Sequence, residues 1–166
     1  MSKIKLLILS LTSFFIIISC VKKTASLHKF NVSYIGGGPD GLYFQNLLTS
    51  NLKAFDLYET QSNLSIEASF NHSSSVFITN INNTSDREKI TSTVNVEIRN
   101  LDENCIIYNY SDEVSQFFII SSNINFVSNN TAVREIKEIN AEVLANKLIS
   151  KINLMDKIDC LDTVKS

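Results

Sequence analysis

The side chains that could do chemistry are few and scattered in this chain. Its two histidines are His28 and His72, and His72 is followed by Ser73-Ser74-Ser75 in a polar stretch. A nucleophilic serine needs a base within hydrogen-bond reach, and in α/β-hydrolases it stands on a sharp strand-to-helix turn, a pattern that this stretch lacks. We therefore predict that both histidines are solvated, His72 in a polar loop. The protein is expected to be a non-enzyme without catalytic residues.

One glycine spacing does match a cofactor site. Gly36-Gly37-Gly38-Pro39-Asp40-Gly41 satisfies G-x-G-x-x-G between a predicted strand and a predicted helix, where a pyrophosphate can bind. With Leu42-Tyr43-Phe44 it looks like the start of flavin-dependent oxidoreductases, and Glu59 lies near the expected ribose-binding acid. The later strands alternate polar and apolar residues, whereas dinucleotide-binding sheets use continuous apolar strands. We favour a tight turn without a cofactor and keep a small flavin- or nucleotide-binding protein as an alternative.

Cys20 lies at the end of an amino-terminal segment that has the pattern of an export signal. Lys3 and Lys5 precede an apolar run from Leu6 to Ile18, too short to cross a bilayer as a helix and typical of an export signal. Ile17-Ile18-Ser19-Cys20 resembles the lipobox of bacterial lipoproteins, which implies cleavage before Cys20 and acylation of its thiol. Each buried CH₂ of the acyl chains would contribute about 0.8 kcal/mol to anchoring. An ordinary export signal with a chance cysteine is the alternative.

The resemblance to a lipobox also implies a location. With no Asp at position 21, it implies a lipid-anchored protein on the periplasmic face of the outer membrane. Cys105 and Cys160 would then lie in an oxidising compartment, where a disulfide is possible. A bridge would join the tail to a strand, and two unrelated thiols fit the sequence equally well. Neither has the paired His or Cys spacing of a metal site, so we predict no metal.

Size and charge limit the remaining classes of function. Without residues 1–19 the chain has 147 residues, enough for one domain with a real core. Lys3 and Lys5 leave with the signal, so 13 basic residues face 17 acidic ones and the formal charge is near −4. A mildly acidic surface without basic clusters predicts no binding to nucleic acid.

Apolar periodicity predicts an alternation of strands and helices. Period-2 alternation predicts strands at 30–34, 64–71, 90–99 and 106–110, the last resuming through 117–120. Asn80 to Asp86 predicts a hairpin connection after a short apolar patch at Val76 to Ile78, and Leu101 to Asn104 predicts a turn.

Two helices are predicted from three- and four-residue spacing. The first begins at Pro39 or Asp40, and its apolar face comprises Phe44, Leu47, Leu48, Leu52 and Phe55. The second is capped by Asn129-Asn130-Thr131 and runs to about Leu154. Its apolar positions drift round the helix, from Ala132, Ile136, Ile139 and Val143 to Leu144, Leu148 and Ile152.

These elements predict an α+β two-layer sandwich in the order β-α-β-β-β-α. Strands that alternate are solvated on one face, so we expect a mostly antiparallel sheet of about four strands with both helices on the other face. The domain plan is a signal at 1–19, a lipidated tether at 20–27, one domain at 28–155 and a polar tail at 156–166.

The mature chain resembles the lipopolysaccharide-assembly lipoprotein family LptE, particularly its short alphaproteobacterial members. The likeness lies in Thr84-Ser85-Asp86-Arg87 before the Ile90 to Ile98 strand, in Tyr108-Asn109-Tyr110, and in Val127-Ser128-Asn129-Asn130-Thr131-Ala132 before a helix ending in Leu144-Ala145-Asn146-Lys147-Leu148-Ile149. The chain departs from the family in its Gly36-Gly37-Gly38 turn.

The resemblance implies a protein that fills the lumen of an LptD-type outer-membrane β-barrel and assists insertion of lipopolysaccharide. A polar strand face suits the wet interior of a wide barrel. Arg87 and Lys89 are then candidate contacts for a phosphate or sugar acid of the glycolipid, as paired cations are, and a solvated hairpin is the alternative. A free-standing lipid-binding or scaffold lipoprotein of the same architecture is the second function that we keep open.

Overall fold

The computed structural model describes residues 28–78, 86–119, 126–155 and 158–161. Six elements follow the predicted order: β1 (Asn31–Gly36), α1 (Gly38–Ala54), β2 (Leu64–Ile78), β3 (Asp86–Asn100), β4 (Cys105–Ile119) and α2 (Phe126–Asn153). The predicted signal, Cys20, the tether and nearly all of the predicted hairpin connection lie outside the described residues.

The four strands form one mixed sheet in the order β1-β2-β3-β4. Strands β2, β3 and β4 are each 15 residues long and pair antiparallel. Strand β1 has only six residues and pairs parallel to β2, from Ser65 to Ser69, because α1 carries the chain back before β2 begins. The α+β class with a mostly antiparallel sheet is confirmed.

Alternation along the strands gives the sheet two chemically different faces. One face is covered by the helices, α1 against β1 and β2, and α2 against β3 and β4. The core between the layers is apolar and includes Phe44, Leu48, Leu52, Ile66, Phe70, Val94, Ile98, Leu144, Leu148 and Ile152. The other face, called here the open face, carries polar residues. Neither helix of the described ranges has the length and apolar content of a membrane span.

Two glycines at the junction of β1 and α1 are required by close backbone packing. Gly37 has φ +118°, and a Cβ there would lie 1.9 Å from the Phe70 carbonyl oxygen. A Cβ on Gly41 would lie 2.5 Å from the Gly36 carbonyl oxygen. The motif that looked like a phosphate cradle thus has a packing explanation, since only glycine allows α1 to start this close to the sheet.

The strands are longer and more regular than predicted. The patch at Val76 to Ile78 is the end of β2, and β4 runs unbroken where two pieces were predicted. Serine and asparagine interrupt the apolar pattern of these strands. The neighbouring strand β3 pairs with both along their whole length. These backbone hydrogen bonds keep residues of low strand propensity in the extended conformation.

Two details of the helix predictions are wrong. Helix α2 begins at Phe126, so the predicted cap at Asn129 to Thr131 lies inside the helix. Three residues assigned to apolar helix faces are instead exposed: Phe55 by 48%, Ile139 by 47% and Val143 by 36%. The position that faces the sheet between Ile136 and Leu144 is held by Asn140, which is fully buried.

The residues after α2 return to the sheet. A disulfide joins Cys105 and Cys160, with 5.7 Å between their Cα atoms, and the Leu161 N–H donates a hydrogen bond of 2.8 Å to the Ile106 carbonyl. Ile158 packs against the core. A polar tail was predicted at 156–166, and within it residues 158–161 lie along the start of β4.

Candidate functional site

Arg87 and Lys89 lie near the far end of the β2–β3 hairpin, on the open face. Arg87 is paired with Phe77 on β2 and Ile119 on β4, while Lys89 is paired with Phe117 on β4. Residues directly opposite in an antiparallel pair share a face. These five residues, Phe77, Arg87, Lys89, Phe117 and Ile119, are called here the distal patch.

The distal patch joins exposed apolar surface to positive charge. The rings of Phe77 and Phe117 approach to 5.9 Å between centroids across β3, although each is about half exposed, at 46% and 59%. Ile119 beside them is 63% exposed. Within the described residues neither cation has a carboxylate partner.

This combination fits one class of ligand. Cations without a carboxylate partner can bind phosphate or sugar acids, and exposed rings next to them can contact acyl chains. An amphiphile that carries both groups satisfies both halves of the patch. The structure therefore brings the two predicted cations together and adds apolar residues that the sequence analysis did not assign.

The opposite end of the open face is acidic. Glu67 and Glu97 are directly opposite each other on β2 and β3, and Arg99 bridges them at 3.5 Å and 2.6 Å. A groove of about 590 Å³ lies here, lined mainly by polar residues that include Tyr34, Ser69, Asn95, Asn109 and Ser111. The groove is open to solvent, unlike the deep apolar cavity expected of a free-standing lipid carrier.

The prediction that His72 is solvated in a polar loop is wrong. It lies inside β2 on the helix-covered face, and its side chain is only 6% exposed. Its Nδ1 is 2.7 Å from Ser92 Oγ, and its Nε2 is 3.8 Å from a carboxylate oxygen of Asp40 on α1. Lys137 on α2 lies 3.6 Å from the same carboxylate. The alternation of the strand could have predicted this position, because residue 72 falls on the same face as the inward-facing residues 64, 66, 68 and 70.

Burial lowers the pKa of His72 below its ordinary 6.5, and Lys137 lowers it further, while Asp40 opposes both effects. The order Asp40, His72, Ser92 is that of a catalytic relay, but the seryl hydroxyl is completely buried. Asn140 on α2 donates to that hydroxyl at 3.0 Å and receives a 2.9 Å bond from Gln116. The network joins both helices to β2, β3 and β4, which is a structural task.

A second polar contact fastens α2 to β4. Lys147 Nζ lies 2.8 Å from Asp112, and Tyr110 Oη donates to the same carboxylate at 2.8 Å. The Lys147 hydrogen bond lowers the pKa of Asp112, and burial with the Asp112 bond raises that of Tyr110. Tyr108 and Tyr110 stack at 6.4 Å and pack against the core.

Cys105 and Cys160 are not available as metal ligands while they are bonded to each other. Glu103, Cys105 and Cys160 place their ligand atoms within 4.8 Å of one another. Because the two sulfurs are bonded to each other, neither is a thiolate that could bind an ion. The Glu103 carboxylate rests 3.0 Å from Cys160 Sγ as a contact, since a disulfide sulfur has no proton to donate. The lipid-attachment candidate Cys20 lies outside the described residues.

Comparison with known proteins identifies the fold. No family model matches the sequence, and no curated protein does either. A minor lipoprotein from Acinetobacter baumannii matches with a TM-score of 0.57 and 13% identity, covering 76% of this chain and 92% of that one. Rare lipoprotein B from Shewanella oneidensis matches with a TM-score of 0.57 and 8% identity, covering 74% and 93%.

A third structure, a Caulobacter crescentus protein assigned as a lipoprotein, has a TM-score of 0.53 and 12% identity over 75% of this chain and 87% of that one. These three structures, among the similar ones, are described as bacterial lipoproteins. The chain has the fold of this group, and nearly the whole length of each neighbour takes part in the match.

Proposed function

We propose that the protein is an outer-membrane lipoprotein, anchored through acylated Cys20, that fills the lumen of an LptD-type β-barrel and assists insertion of lipopolysaccharide. Three lines support this proposal: the lipobox-like sequence before Cys20, the residue patterns shared with the LptE family, and a fold shared with bacterial lipoproteins. Its work is binding and scaffolding, without bond chemistry and without a resident cofactor.

The distal patch is the observation that carries the glycolipid part of the proposal. Arg87 and Lys89 stand on the same face as Phe77, Phe117 and Ile119, at the end of 15-residue strands. A lipopolysaccharide presents phosphate groups next to acyl chains, so one molecule can use the cations and the rings together. The patch lies far from the amino-terminal end of the domain, where a lipid tether would enter.

The polar residues on the rest of the open face support the proposal that the protein lies in the lumen of a β-barrel. Thr91, Thr93, Asn95 and Ser111 occupy it with hydroxyl and amide groups, and a barrel lumen is lined by polar residues and water. Such a surface can form many hydrogen bonds with a wet wall, as protein interfaces do.

The glycolipid contact is tested with the charge-reversal pair Arg87→Glu and Lys89→Glu in the full chain. We expect binding of purified lipopolysaccharide to weaken at least about tenfold, since two charge-assisted contacts become repulsive. Arg134→Glu with Lys151→Glu is the matched control, because it makes the same charge change at exposed positions of α2. Equal loss in both variants would mean that only net charge matters, and the distal patch would be discarded.

The barrel partnership is tested by gentle solubilisation of outer membranes that contain the affinity-tagged chain. We expect a large β-barrel to copurify in a one-to-one ratio, and depletion of the chain to reduce lipopolysaccharide at the cell surface. Recovery of the chain alone, together with normal surface lipopolysaccharide after depletion, would rule out this function.

A further inference from the structure

The two sulfur atoms of the disulfide lie beside a carboxylate that has no cation. Glu103 Oε2 is 3.0 Å from Cys160 Sγ and 3.8 Å from Cys105 Sγ, and the three side chains place their ligand atoms within 4.8 Å of one another. No lysine, arginine or histidine of the described residues forms an ion pair with Glu103. A negative charge beside two sulfur atoms that carry no proton favours a cation at this place.

The fold holds these three residues together by restraints other than the S–S bond. The turn that carries Glu103 is ordered by Asn100 Oδ1, which accepts hydrogen bonds of 3.1 Å and 3.4 Å from two backbone N–H groups of the turn. The segment that carries Cys160 is held by the 2.8 Å backbone hydrogen bond from Leu161 to Ile106. Reduction of the disulfide should therefore leave two thiols and a carboxylate close together.

We infer that the reduced protein binds a thiophilic divalent cation, of which zinc is the best match, through the Cys105 and Cys160 thiolates and the Glu103 carboxylate. Tetrahedral zinc has Zn–S distances of about 2.3 Å and Zn–O distances of about 2.1 Å, which set the sulfur–oxygen separation at about 3.5 Å and the sulfur–sulfur separation at about 3.8 Å.

The geometry at the bridge comes close to these separations. The carboxylate oxygen already lies 3.0 Å and 3.8 Å from the two sulfurs. Side-chain rotation can separate the sulfurs after reduction while the Cα atoms stay 5.7 Å apart. Glu103 and Cys160 are exposed, so the fourth ligand position faces solvent and suits a water molecule.

The disulfide and the bound metal exclude each other. A dithiol reductant gives two electrons and two protons to the bridge and is itself oxidised to a disulfide, which leaves Cys105 and Cys160 as thiols. Zinc then displaces both thiol protons to solvent and forms two Zn–S bonds and one bond to Glu103. Two thiolate ligands select zinc over magnesium or calcium, which prefer oxygen ligands. Residues 158–161 are thus joined to the sheet in either redox state. This inference does not depend on the proposed transport function.

Cobalt(II) tests the site, because cobalt–thiolate bonds absorb in the near ultraviolet. The full chain, with Cys20 present, is reduced with a phosphine, which adds no competing thiol, and is titrated with Co²⁺. We expect a charge-transfer band that zinc abolishes by displacement and that the oxidised protein does not show. The double variant Cys105→Ser with Cys160→Ser should lose the band, which excludes Cys20 as its source. Absence of the band in the reduced chain, or an equal band in the double variant, overturns the inference.

Glu103→Gln tests the third ligand. It should weaken zinc binding by the reduced chain at least about tenfold in competition with a chelator, because a metal–oxygen bond to a charged ligand is lost. Asp102→Asn is the matched control, since it removes the same charge from the neighbouring exposed residue, which is not part of the cluster. Its effect should stay below about threefold, because exposed charges are screened. Equal weakening in both variants would mean that Glu103 acts through charge alone, and the three-ligand site would be discarded.

Thermal unfolding of the unaltered chain gives a readout that needs no variant. Zinc should raise the unfolding midpoint of the reduced protein, and a chelator should reverse the rise, because the metal binds the folded state in preference. The oxidised protein should not respond to either addition. A reduced protein whose midpoint is unchanged by zinc would show that the metal does not join residues 158–161 to the sheet, which overturns the inference.

Discussion

At the scale of single residues, His72 shows how a side chain suited to catalysis can serve the fold. It is held between Ser92, Asp40 and the inner surface of both helices, and its burial disfavours the charged form. Asp40 and Lys137 are the charged groups that face it. A protonated His72 would carry a positive charge near that of Lys137. The Asp40 carboxylate would then be shared by both cations.

Stability should therefore fall in mild acid. The pKa of His72 is lowered in the folded state and is near 6.5 when unfolded, so the unfolded chain binds more protons once the pH drops below about 6.5. The contribution of His72 to the free energy of unfolding should be constant above that pH and decrease below it, until the folded-state pKa is reached. Denaturant titrations at a series of pH values measure this slope.

His72→Asn tests the assignment. Asparagine can keep a hydrogen bond to Ser92 but does not titrate, so the decrease below pH 6.5 should disappear. His28→Asn removes the other histidine of the chain and should keep the decrease. If the slope survives His72→Asn and vanishes in His28→Asn, the assignment to the buried network is wrong.

Asn140 is expected to matter for stability more than its polarity suggests. It is fully buried and donates to Ser92 Oγ, while its carbonyl accepts from Gln116. Asn140→Ala should cost about 2 kcal/mol of unfolding free energy, because it leaves buried polar groups without partners. Asn146→Ala, six residues later, removes only a solvent-exposed hydrogen bond of 3.2 Å from Asn51 and should stay within about 0.5 kcal/mol. Chemical denaturation of both variants makes the comparison, and equal losses would contradict it.

At the scale of elements, the glycines around α1 set how closely the helix approaches the sheet. Gly37→Ala adds a Cβ at positive φ, 1.9 Å from the Phe70 oxygen, and should destabilise the protein by about 3 kcal/mol or more. Gly38→Ala is the control, because its φ is +61° but nothing lies within 4 Å of the added carbon. It should cost about 1 kcal/mol. Thermal unfolding of the two variants decides whether packing or backbone strain dominates.

Periodicity predicted the type and order of the elements, and it failed where polar residues face inward or apolar ones outward. Alternation in 64–70 and 90–98 was sufficient for β2 and β3, and the spacing of Phe44, Leu48 and Leu52 was sufficient for α1. It gave no warning that Asn140 replaces an apolar residue inside α2, because hydrogen bonds with β3 and β4 decide that position. The distal patch also needed the strand register, which single-strand patterns do not contain.

At the scale of the whole molecule, the disulfide links the end of the described chain to the sheet. Cys105 and Cys160 are 55 residues apart, and closing a loop of that length restricts the unfolded chain enough to stabilise the fold by about 4 kcal/mol. Cys105→Ala with Cys160→Ala should lose about this amount in denaturant titrations. Reductant should lower the stability of the unaltered protein toward that of the double variant and leave the variant itself unchanged.

The sequence could suggest this pairing without deciding it. Two thiols in an exported chain make a bridge possible, but the closing contact depends on how residues 158–161 cross the start of β4. That crossing follows from where α2 ends over the sheet, which is a tertiary outcome. For the same reason the sequence indicated a mostly antiparallel sheet without indicating that β1 would join it in parallel.

The length of β3 has a mechanical consequence. Ten residues separate Glu97 from Arg87 on a single strand, a span of about 33 Å at the usual rise. Because β2 and β4 run the full distance beside it, this part of the sheet should move as one stiff body. A tilt of roughly 10° at the Glu97 end would displace the Arg87 end by about 6 Å, more than the spacing between adjacent strands. A partner that has to hold the Arg87 end in one place must therefore contact the strands along their length and not only near Glu97.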